Sequence, residues 1–413
     1  MRLRLAALVT AASMVPAMAR AQGAAADGID ASRAGARTHI GPLYVTPQLA
    51  LKQFGIDNNV FNQPVNPQSD FTVNVSPGVE VALPVARRAL LKTTGSADLV
   101  YFAHFTSERS VDPRVNTRLE TYVRRVTLYG EASVESSRER PNFEIDVRSR
   151  RLITAARAGG RLRLSPKTSV DVSGYRETTA YDNGAFAEGV DFHTTLNHSS
   201  DGVTVAPRFD VTPYTTLAAR IDAFHDQFPF DAARGSSNTR VMPGIEFNPR
   251  ALISGEAYFG YRRLLPDQPA LMPAFEGLVA RMGLSYQPLT LTKLSVTFDR
   301  DLQYSLETLQ PYFVDDSIGA SVQRGLGGGV DVLLHAERHL YQYRNYSPAV
   351  PGAAALALRA DHTLVYQGSI GYRVRRGVRL GFGLTSADRV SPLPGRSYSG
   401  VRVGTDLTYG FQQ

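Results

Sequence analysis

The sequence contains no cysteine and no tryptophan, and only four of its 45 basic residues are lysine. The lack of cysteine excludes a disulfide framework, thiol chemistry and metal sites built on thiolates. Beyond its first 21 residues, the chain also lacks any apolar stretch near the ~20 residues that a transmembrane helix requires. A disulfide scaffold and a helical membrane protein are therefore both excluded.

Residues 1–21 have the composition of a secretory signal. Two arginines precede an apolar stretch over residues 5–15, which is too short to span a bilayer, and Ala19 and Ala21 fit a small-x-small cleavage site. We therefore expect this leader to be removed. Residues 22–42 are then expected to form a short periplasmic segment ahead of the folded part.

The mature chain is only mildly basic. The formal net charge is +7, and the leader carries three arginines and no acidic residue, which leaves about +4. This bias is too weak to indicate a nucleic-acid partner. The composition also includes 35 glycines and 19 each of tyrosine and phenylalanine, with polar residues spread evenly, which is typical of strands and turns.

Apolar residues recur at every second position through most of the mature chain, as expected for strands with one apolar face. In one such segment, Leu217, Ala219 and Ile221 alternate with Arg220 and Asp222. The polar faces carry charges at strand centres and many glycines, and no shift in composition divides the chain into domains. The pattern therefore indicates one continuous sheet.

Short turn signals alternate with longer polar loops along the chain. Such an alternation of short and long connections is typical of transmembrane barrels. It predicts 18 strands, or 16 if the weakly marked turn near Arg124 and Arg125 is absent. The longer loops are predicted near residues 55–69, 107–115, 138–147, 181–191, 227–237, 265–273, 305–315, 344–356 and 388–396.

Together these features predict an all-β fold, a transmembrane antiparallel β-barrel over residues 43–413. A closed sheet with its apolar face toward lipid and its polar face toward water accounts for the buried charges and for the lack of domain boundaries. A soluble β-sandwich or β-propeller also alternates, with its apolar face inward, and is the competing interpretation.

The chain ends on a strand-like segment whose apolar positions finish in aromatics. It resembles the terminal signal by which the barrel assembly machinery recognises outer-membrane barrels, with Gly404, Leu407, Tyr409 and Phe411 in the signal positions. The two glutamines after Phe411 depart from such signals, which usually end on phenylalanine. The resemblance implies an outer-membrane protein of a Gram-negative cell, in contact with outer-membrane lipid.

Four further stretches share a pattern with known barrels: a strand running into an Asp-Asn loop at 54–61, an Arg-rich segment at 138–146, and Thr-rich hairpins at 212–217 and 288–294. Together they resemble the putative β-barrel porin 2 family, outer-membrane barrels found with exopolysaccharide biosynthesis genes. The resemblance covers almost the whole mature chain. It implies a channel that takes part in exporting an acidic or neutral polysaccharide beside a periplasmic polysaccharide export protein.

Two other functions compete with this one. A general diffusion or solute-uptake porin needs the same strands. An outer-membrane lipid hydrolase would need a Ser-His pair facing lipid, and no nucleophile motif stands at a strand end. Conductance and lipid hydrolysis distinguish the three.

Charged residues on the polar faces of the predicted strands would line the lumen. Mixed rings of arginine and carboxylate would hold a water-filled channel and bias it toward anions, and arginine could donate bidentate hydrogen bonds to a polymer. Alternatively, these charges pair with one another and stiffen the wall. The candidates are Arg157, Arg161, Arg163, Arg220, Asp222, Arg281, Lys293, Asp299, Arg373, Arg375, Arg379, Arg402 and Asp406.

The sequence predicts no catalytic residues, no metal site and no cofactor. His335 and His339 share a strand face with Glu337, but four strand residues put the two histidines ~13 Å apart, too far for one metal. Residues 327–329, three glycines, lack the Lys-Ser/Thr and helix of a phosphate-binding loop. We therefore expect a protein that is not an enzyme.

Overall fold

The long strands of this chain form one sheet that closes on itself as an antiparallel barrel of 18 strands. The structure, a computed structural model, describes residue 36 and residues 38–85, 88–187, 189–307, 309–345, 359–375 and 377–409. The predicted all-β barrel is confirmed, with 18 strands and not the alternative of 16. The expected leader, most of the expected periplasmic segment and Phe411 lie outside the described residues.

The barrel strands are 12 to 16 residues long. A bilayer is crossed by ~9–11 residues, so their ends extend beyond it. In chain order they are β1 (Leu43–Asp57), β2 (Asp70–Val85), β3 (Ala89–Phe102), β4 (Ser110–Val123), β5 (Val126–Ser137), β6 (Arg151–Arg163), β7 (Thr168–Tyr181), β8 (His198–Thr212), β9 (Thr215–Gln227), β10 (Ser236–Phe247), β11 (Ile253–Pro266), β12 (Phe275–Leu289), β13 (Thr292–Tyr304), β14 (Tyr312–Gly327), β15 (Val330–Arg344), β16 (Ala360–Arg375), β17 (Val378–Val390) and β18 (Tyr398–Tyr409).

Among the described residues, the remaining elements are short. They are a helix, α1 (Phe192–Leu196), two 3-10 turns, and three strands of two or three residues. One of them, the strand Thr38–Ile40, pairs with the start of β1, and the others lie in the connections between the barrel strands. No helix among the described residues is both long enough and apolar enough to cross a membrane. The bounds are Thr106–Glu108 and Ala232–Arg234 for the 3-10 turns, and Thr38–Ile40, Phe186–Ala187 and Val190–Asp191 for the short strands.

The outward face of the barrel is apolar and the inward face is polar. On β9, Leu217 and Ile221 are 51% and 40% exposed, whereas Asp222 on the other face is fully buried. Tyr366 on β16 and Phe382 on β17 are likewise half exposed on the outside. Large apolar side chains on the outside of a closed sheet are stable against hydrocarbon and not against water. The competing soluble fold, with apolar faces inward, is therefore wrong.

The barrel closes where β1 pairs with β18. At this seam Gly55 lies opposite Gly404, beside a register shift between Leu51 and Phe54. A Cβ built on Gly55 would lie 1.9 Å from the carbonyl oxygen of Val403, so no other residue fits there. Gly404, a predicted part of the terminal signal, thus also lies in a close backbone approach that helps to close the sheet.

The two ends of the barrel differ in the length of their connections. At one end, the short-turn end, two to five residues join the strands, and at the other, the long-loop end, seven to sixteen do. The weakly marked turn is present, and Arg124 adopts a left-handed conformation in it with φ 50°. Two predicted loops are too long: residues 110–115 of the loop predicted over 107–115 belong to β4, and residues 312–315 of the loop predicted over 305–315 belong to β14. In β4 the strand accommodates Pro113, which merely lacks an N–H donor.

The hairpin of β13 and β14 leaves the barrel wall at the long-loop end. Among the described residues, the β12–β13 ladder stops at the Ala280–Arg300 pair, although β13 stays paired with β14 as far as Tyr304. Beyond this point Leu302 and Tyr304 pack in a buried cluster with Val279, which lies on the lumen side of β12. The upper part of the hairpin has therefore folded inward.

The position of Tyr304 shows how far this hairpin reaches. Its hydroxyl donates to the carboxylate of Asp226 on β9 at 2.7 Å and lies 3.0 Å from the hydroxyl of Ser236 on β10. The buried Arg234 guanidinium donates to the backbone carbonyl of Glu307 at 3.0 Å, at the tip of the hairpin. The hairpin tip, residues 305–307 and 309–311, thus lies over the lumen.

Candidate functional site

Several predicted lumen charges form ion pairs between strands that are neighbours in the sheet. Arg161 lies opposite Asp171 with 3.5 Å between Nε and Oδ2. Arg281 lies opposite Asp299, with its Nε 3.2 Å from Oδ2. The Nε of Arg402 donates to Asp57 at 2.7 Å across the closing seam. These ion pairs cross-link neighbouring strands of the wall. This agrees with the alternative interpretation of the sequence, in which the lumen charges pair with one another.

Arg379 forms the most extensive of these contacts. Its buried guanidinium donates twice to Asp331 on β15, at 2.7 and 2.9 Å, and once to Asp406 on β18, at 2.9 Å. To reach Asp331, the side chain passes over β16 at Gly371, where a Cβ would lie 2.2 Å from the guanidinium. One arginine thus ties together four adjacent strands.

The other predicted lumen residues are distributed over the same inner face. Arg220 donates to Asp222 at 3.1 Å, and Arg157 donates to the hydroxyl of Ser173 at 3.0 Å. Arg373 lies 3.6 Å from Asp331. Arg163 and Lys293 are half-buried, and Arg375 is exposed; all three lie close to the short-turn end of their strands.

We expect Arg373→Ala combined with Arg375→Ala to lower the anion preference of the channel. Both residues lie at the short-turn end of β16 and both are exposed, so their charges act on ions that pass this end of the lumen. The measurement is the reversal potential of open events in a planar bilayer under a KCl gradient. Arg338→Ala, on the outward face of β15, is the matched control, and an unchanged reversal potential in the double variant contradicts a selective role.

The loop between β5 and β6, residues 138–150, crosses the lumen to the opposite wall. The amide of Phe143 donates to the hydroxyl of Tyr341 on β15 at 3.3 Å, and its ring lies 4.8 Å from that of His339. Asp146 accepts a hydrogen bond from Arg389 on β17 at 3.1 Å. By the shorter way around the barrel, β17 lies six strand intervals from β5 and β15 lies eight, out of 18. The loop therefore covers part of the mouth at the long-loop end.

Glu144 joins this loop to the hairpin tip. Its carboxylate accepts hydrogen bonds from the hydroxyl of Ser305 at 2.6 Å and from the amide of Leu306 at 2.9 Å. The Glu144 side chain is fully buried. Two segments that enter the lumen from different sides are therefore latched at one carboxylate.

Three arginines from the β15–β18 side surround this latch. Arg389 and Arg396 each donate to the backbone carbonyl of Glu144 at 3.2 Å. Arg396 also donates to Glu307 at 3.0 Å, as does Arg359. Because Arg389, Arg359 and Arg396 are each at most 5% exposed, their charges depend on these acceptors.

Asp361 completes the charge balance around the latch. It accepts two hydrogen bonds from Arg359, at 2.7 and 3.0 Å, and one from Arg389 at 2.7 Å. The hydroxyl of Ser391 donates to it at 2.7 Å. The buried arginines and carboxylates thus form one connected network that holds loops from several strands together.

An apolar core lies beside the latch and is built mainly by the loops, together with Tyr181 at the end of β7. Ile145 from the crossing loop and Leu306 from the hairpin tip pack with Phe192 and Leu196 of α1, all of them at most 5% exposed. Each contributes about 1.5–3 kcal/mol by leaving water. We call the crossing loop, the hairpin tip and α1 together the mouth cover.

The sequence predicts the loop over residues 138–147 but not its inward path, and it does not single out Glu144, Arg359, Arg389 or Arg396 as site residues. One signal was present in Phe143 and Ile145, two large apolar residues within an otherwise charged loop. A loop that stays in solvent has no need of such residues. Their partners come from distant parts of the chain, so spacing alone does not reveal the latch.

Raising the pH is expected to weaken the mouth cover. Burial raises the pKa of the Glu144 carboxyl above its ordinary value and Glu307 adds to this, although Ser305, Leu306 and Arg359 act in the opposite direction. A pKa that is raised in the covered state favours that state fully below the ordinary value, and the advantage is lost as the pH rises through the raised value. The open probability in a planar bilayer should therefore rise with pH.

Two comparisons test this dependence. Burial also raises the pKa of Asp146, against the influence of Arg389, so both carboxyls act in the same direction. Glu144→Gln mimics the protonated carboxyl and should flatten most of the pH dependence, while Asp146→Asn should flatten less because Asp146 is less deeply buried. An open probability that falls with rising pH contradicts this account of the latch.

The histidines considered as metal ligands belong to an ion-pair network instead. Both His335 and His339 lie beside Glu337, at 3.5 and 3.2 Å, and His339 also contacts Asp315 at 3.1 Å. Within the described residues, no group of three or more potential ligands is arranged to hold a metal ion.

Comparisons with solved structures return outer-membrane barrels at low identity. The outer membrane protein opdK from Pseudomonas aeruginosa shares 9% identity at a TM-score of 0.46, over 90% of this chain and 99% of that chain. The FrpB iron transporter from Neisseria meningitidis (F3-3 variant) shares 9% identity at a TM-score of 0.47 over 84% of this chain; the match spans only 62% of the transporter. A bacterial polysaccharide outer membrane secretin shares 10% identity at a TM-score of 0.35, over 91% of this chain and 100% of that chain.

No protein with a curated description matches the sequence. The model of one protein family, described as putative beta-barrel porin 2, matches residues 34–411. This match takes in every strand of the barrel, from β1 to β18. The chain therefore belongs to the putative beta-barrel porin 2 family and has the fold of an outer-membrane porin.

Proposed function

We propose that this barrel exports exopolysaccharide across the outer membrane, together with a polysaccharide export protein on the periplasmic side. The observation that supports the proposal is the mouth cover on a wide barrel. Barrels of 16 to 18 strands enclose an aqueous channel, wide enough for a solvated chain once nothing fills it. A polymer exporter needs a wide lumen while the polymer passes. When no polymer is present, it needs a barrier that keeps small solutes from crossing.

The orientation of the barrel in the membrane is inferred from the arrangement of its ends. Outer-membrane barrels carry their short turns on the periplasmic side and their long loops outside. The mouth cover then lies at the extracellular end, and the short turns face a partner in the periplasm. Hydroxyl and carboxylate groups of a polysaccharide can exchange hydrogen bonds with the paired lumen charges as the chain passes.

The alternative is a general diffusion or solute-uptake porin. Such a channel conducts small solutes without a partner, so a cover latched at a buried carboxylate works against it. The contacts of Glu144 with Ser305 and Leu306 therefore favour the exporter. The class of lipid hydrolase finds no support in the motifs of the chain.

Deletion of the gene in the source bacterium tests the proposal. We expect extracellular polysaccharide to fall and polysaccharide to accumulate in the periplasm, with both effects reversed by the wild-type gene. Unchanged extracellular polysaccharide together with slower uptake of small solutes supports the porin instead. A variant gene with Arg338→Ala, outside the lumen, is the matched control for complementation.

A further inference from the structure

The short-turn end of the barrel carries a collar of basic residues without acidic neighbours. Arg88, Arg124, Arg125, Lys167 and Arg250 lie in the turns, and none of the sequence segments that join the strands at this end contains Asp or Glu. At the long-loop end, by contrast, acidic residues occur in most of the connections. The lack of acidic residues is therefore a property of the connections at the short-turn end and not of the whole sequence.

The collar residues are free to meet an external ligand. All five are exposed, and so is Arg324 near the end of β14. Within the described residues, none of the six side chains forms an ion pair or a hydrogen bond. We call these six residues the basic collar. In this they differ from the lumen charges, most of which are paired.

Exposed apolar side chains stand at the same level as the collar. Leu291 and Leu326 lie in or beside short turns and are 56% and 59% exposed, and Leu164 in the turn of Lys167 is 53% exposed. The apolar outer band thus continues to the tips of these turns. Because basic side chains extend their charge toward the headgroups while their stems stay in the apolar layer, the collar lies at the depth of lipid phosphates.

Arg324 indicates which surface the ligand occupies. It shares its strand face with Ile318 and Val322, which are 52% and 41% exposed on the outside of the barrel. Its guanidinium therefore continues the lipid-facing side and does not turn into the lumen. A protein that docks on the turn tips from below, or a polymer that enters the lumen, has no use for a charge in this position.

We propose that the basic collar binds the phosphate groups of anionic phospholipids in the periplasmic leaflet. Arginine suits this ligand because its planar donors match phosphate oxygens in pairs. Anionic headgroups attract basic residues placed at the membrane surface, and the attraction adds up over several residues. The collar then fixes the depth of the barrel in the membrane, whatever passes through its lumen.

The test is a titration of the purified full-length barrel in neutral detergent with dioctanoyl phosphatidylglycerol, followed by the midpoint of thermal unfolding. A ligand that binds only the folded barrel raises this midpoint. We expect Arg125→Gln combined with Arg324→Gln to weaken the apparent affinity about tenfold or more. The matched control, Arg176→Gln with Arg338→Gln, removes two outward basic residues toward the long-loop end and should keep the wild-type affinity.

Three further probes identify the ligand. Dioctanoyl phosphatidylcholine and inorganic phosphate should leave the midpoint unchanged, and an equal shift with either one overturns the proposal of an anionic lipid. A shift with poly-L-glutamate but not with phosphatidylglycerol assigns the collar to an acidic protein and likewise overturns it. Equal phosphatidylglycerol affinities for the wild type and the collar variant would do the same.

Discussion

Replacing residues 142–147 by a Gly-Ser segment of equal length is expected to convert a quiet barrel into an open channel. The change removes the Glu144 carboxylate with its two hydrogen bonds, and each bond to a charged group contributes about 1.5–3 kcal/mol. It also removes Ile145 from the apolar core of the mouth cover, at about 1.5–3 kcal/mol. A change of ~5.5 kcal/mol is enough to move a two-state equilibrium from 1:99 to 99:1.

Single-channel recording in a planar bilayer measures this effect. The wild-type barrel should show rare openings, and the variant should conduct for most of the recording. Residues 64–69 provide the control, since this stretch of the first long loop is exposed, has the same length, and lies outside the mouth cover. A wild-type barrel that is already open, or a variant as quiet as the wild type, contradicts the assigned role of the cover.

Arg379→Ala is expected to destabilise the barrel by about 3–5 kcal/mol, the usual cost of breaking a buried ion pair from one side. The variant leaves Asp406 without its arginine and leaves Asp331 with only Arg373 at 3.6 Å. Both carboxylates are almost fully buried, so they cannot recover this loss by contact with water. The free energy of unfolding in urea, measured in detergent micelles, gives the difference directly.

Two controls separate the loss of an ion pair from a loss of packing. Lys92→Ala breaks a pair with Glu80 in which both side chains are partly exposed, and it should cost less than about 1 kcal/mol. Combining Arg379→Met with Asp331→Asn and Asp406→Asn removes all three charges and should regain much of the stability. If Arg379→Ala is no less stable than Lys92→Ala, the ion pairs of Arg379 do not contribute to the free energy of unfolding, which contradicts the prediction.

The architecture could be predicted from the sequence because the features that define a membrane barrel are visible in short segments of the chain. Each strand shows its own alternation, as Leu217 and Asp222 do on β9, and each connection shows its own length. The turn at Arg124 lacks glycine, proline and asparagine, which is why the sequence left 16 strands as an alternative to 18. The errors concern strand ends: residues 110–115 and 312–315 were assigned to loops, although they belong to β4 and β14.

The lumen charges could be assigned to a face but not to partners. Arg161 and Asp171 face each other because two strands have a particular register, and the register depends on turn geometry that the sequence shows only approximately. The reach of Arg379 over Gly371 to Asp331 spans two strand intervals and could not be inferred from alternation. Pairing is a property of the assembled sheet.

The mouth cover was beyond prediction for a related reason. Glu144 and Ser305 are 161 positions apart, and nothing in the neighbourhood of either residue indicates the other. Loop contacts have no periodicity, so they lack the repeating signal that identifies strands. Only the apolar residues Phe143 and Ile145 gave an indication that the loop has a buried side.

The departure of the β13–β14 hairpin from the wall has a consequence for how the channel opens. Above the Ala280–Arg300 pair, the upper end of β12 keeps hydrogen-bonding groups on its β13 side that have no ladder partner among the described residues. If the hairpin returns to the wall, β12 and β13 can pair over their full length. The backbone hydrogen bonds gained in this way would offset those lost with the latch. The edge of β12 thus offers the returning hairpin a second set of backbone partners, which lowers the free-energy cost of uncovering the lumen.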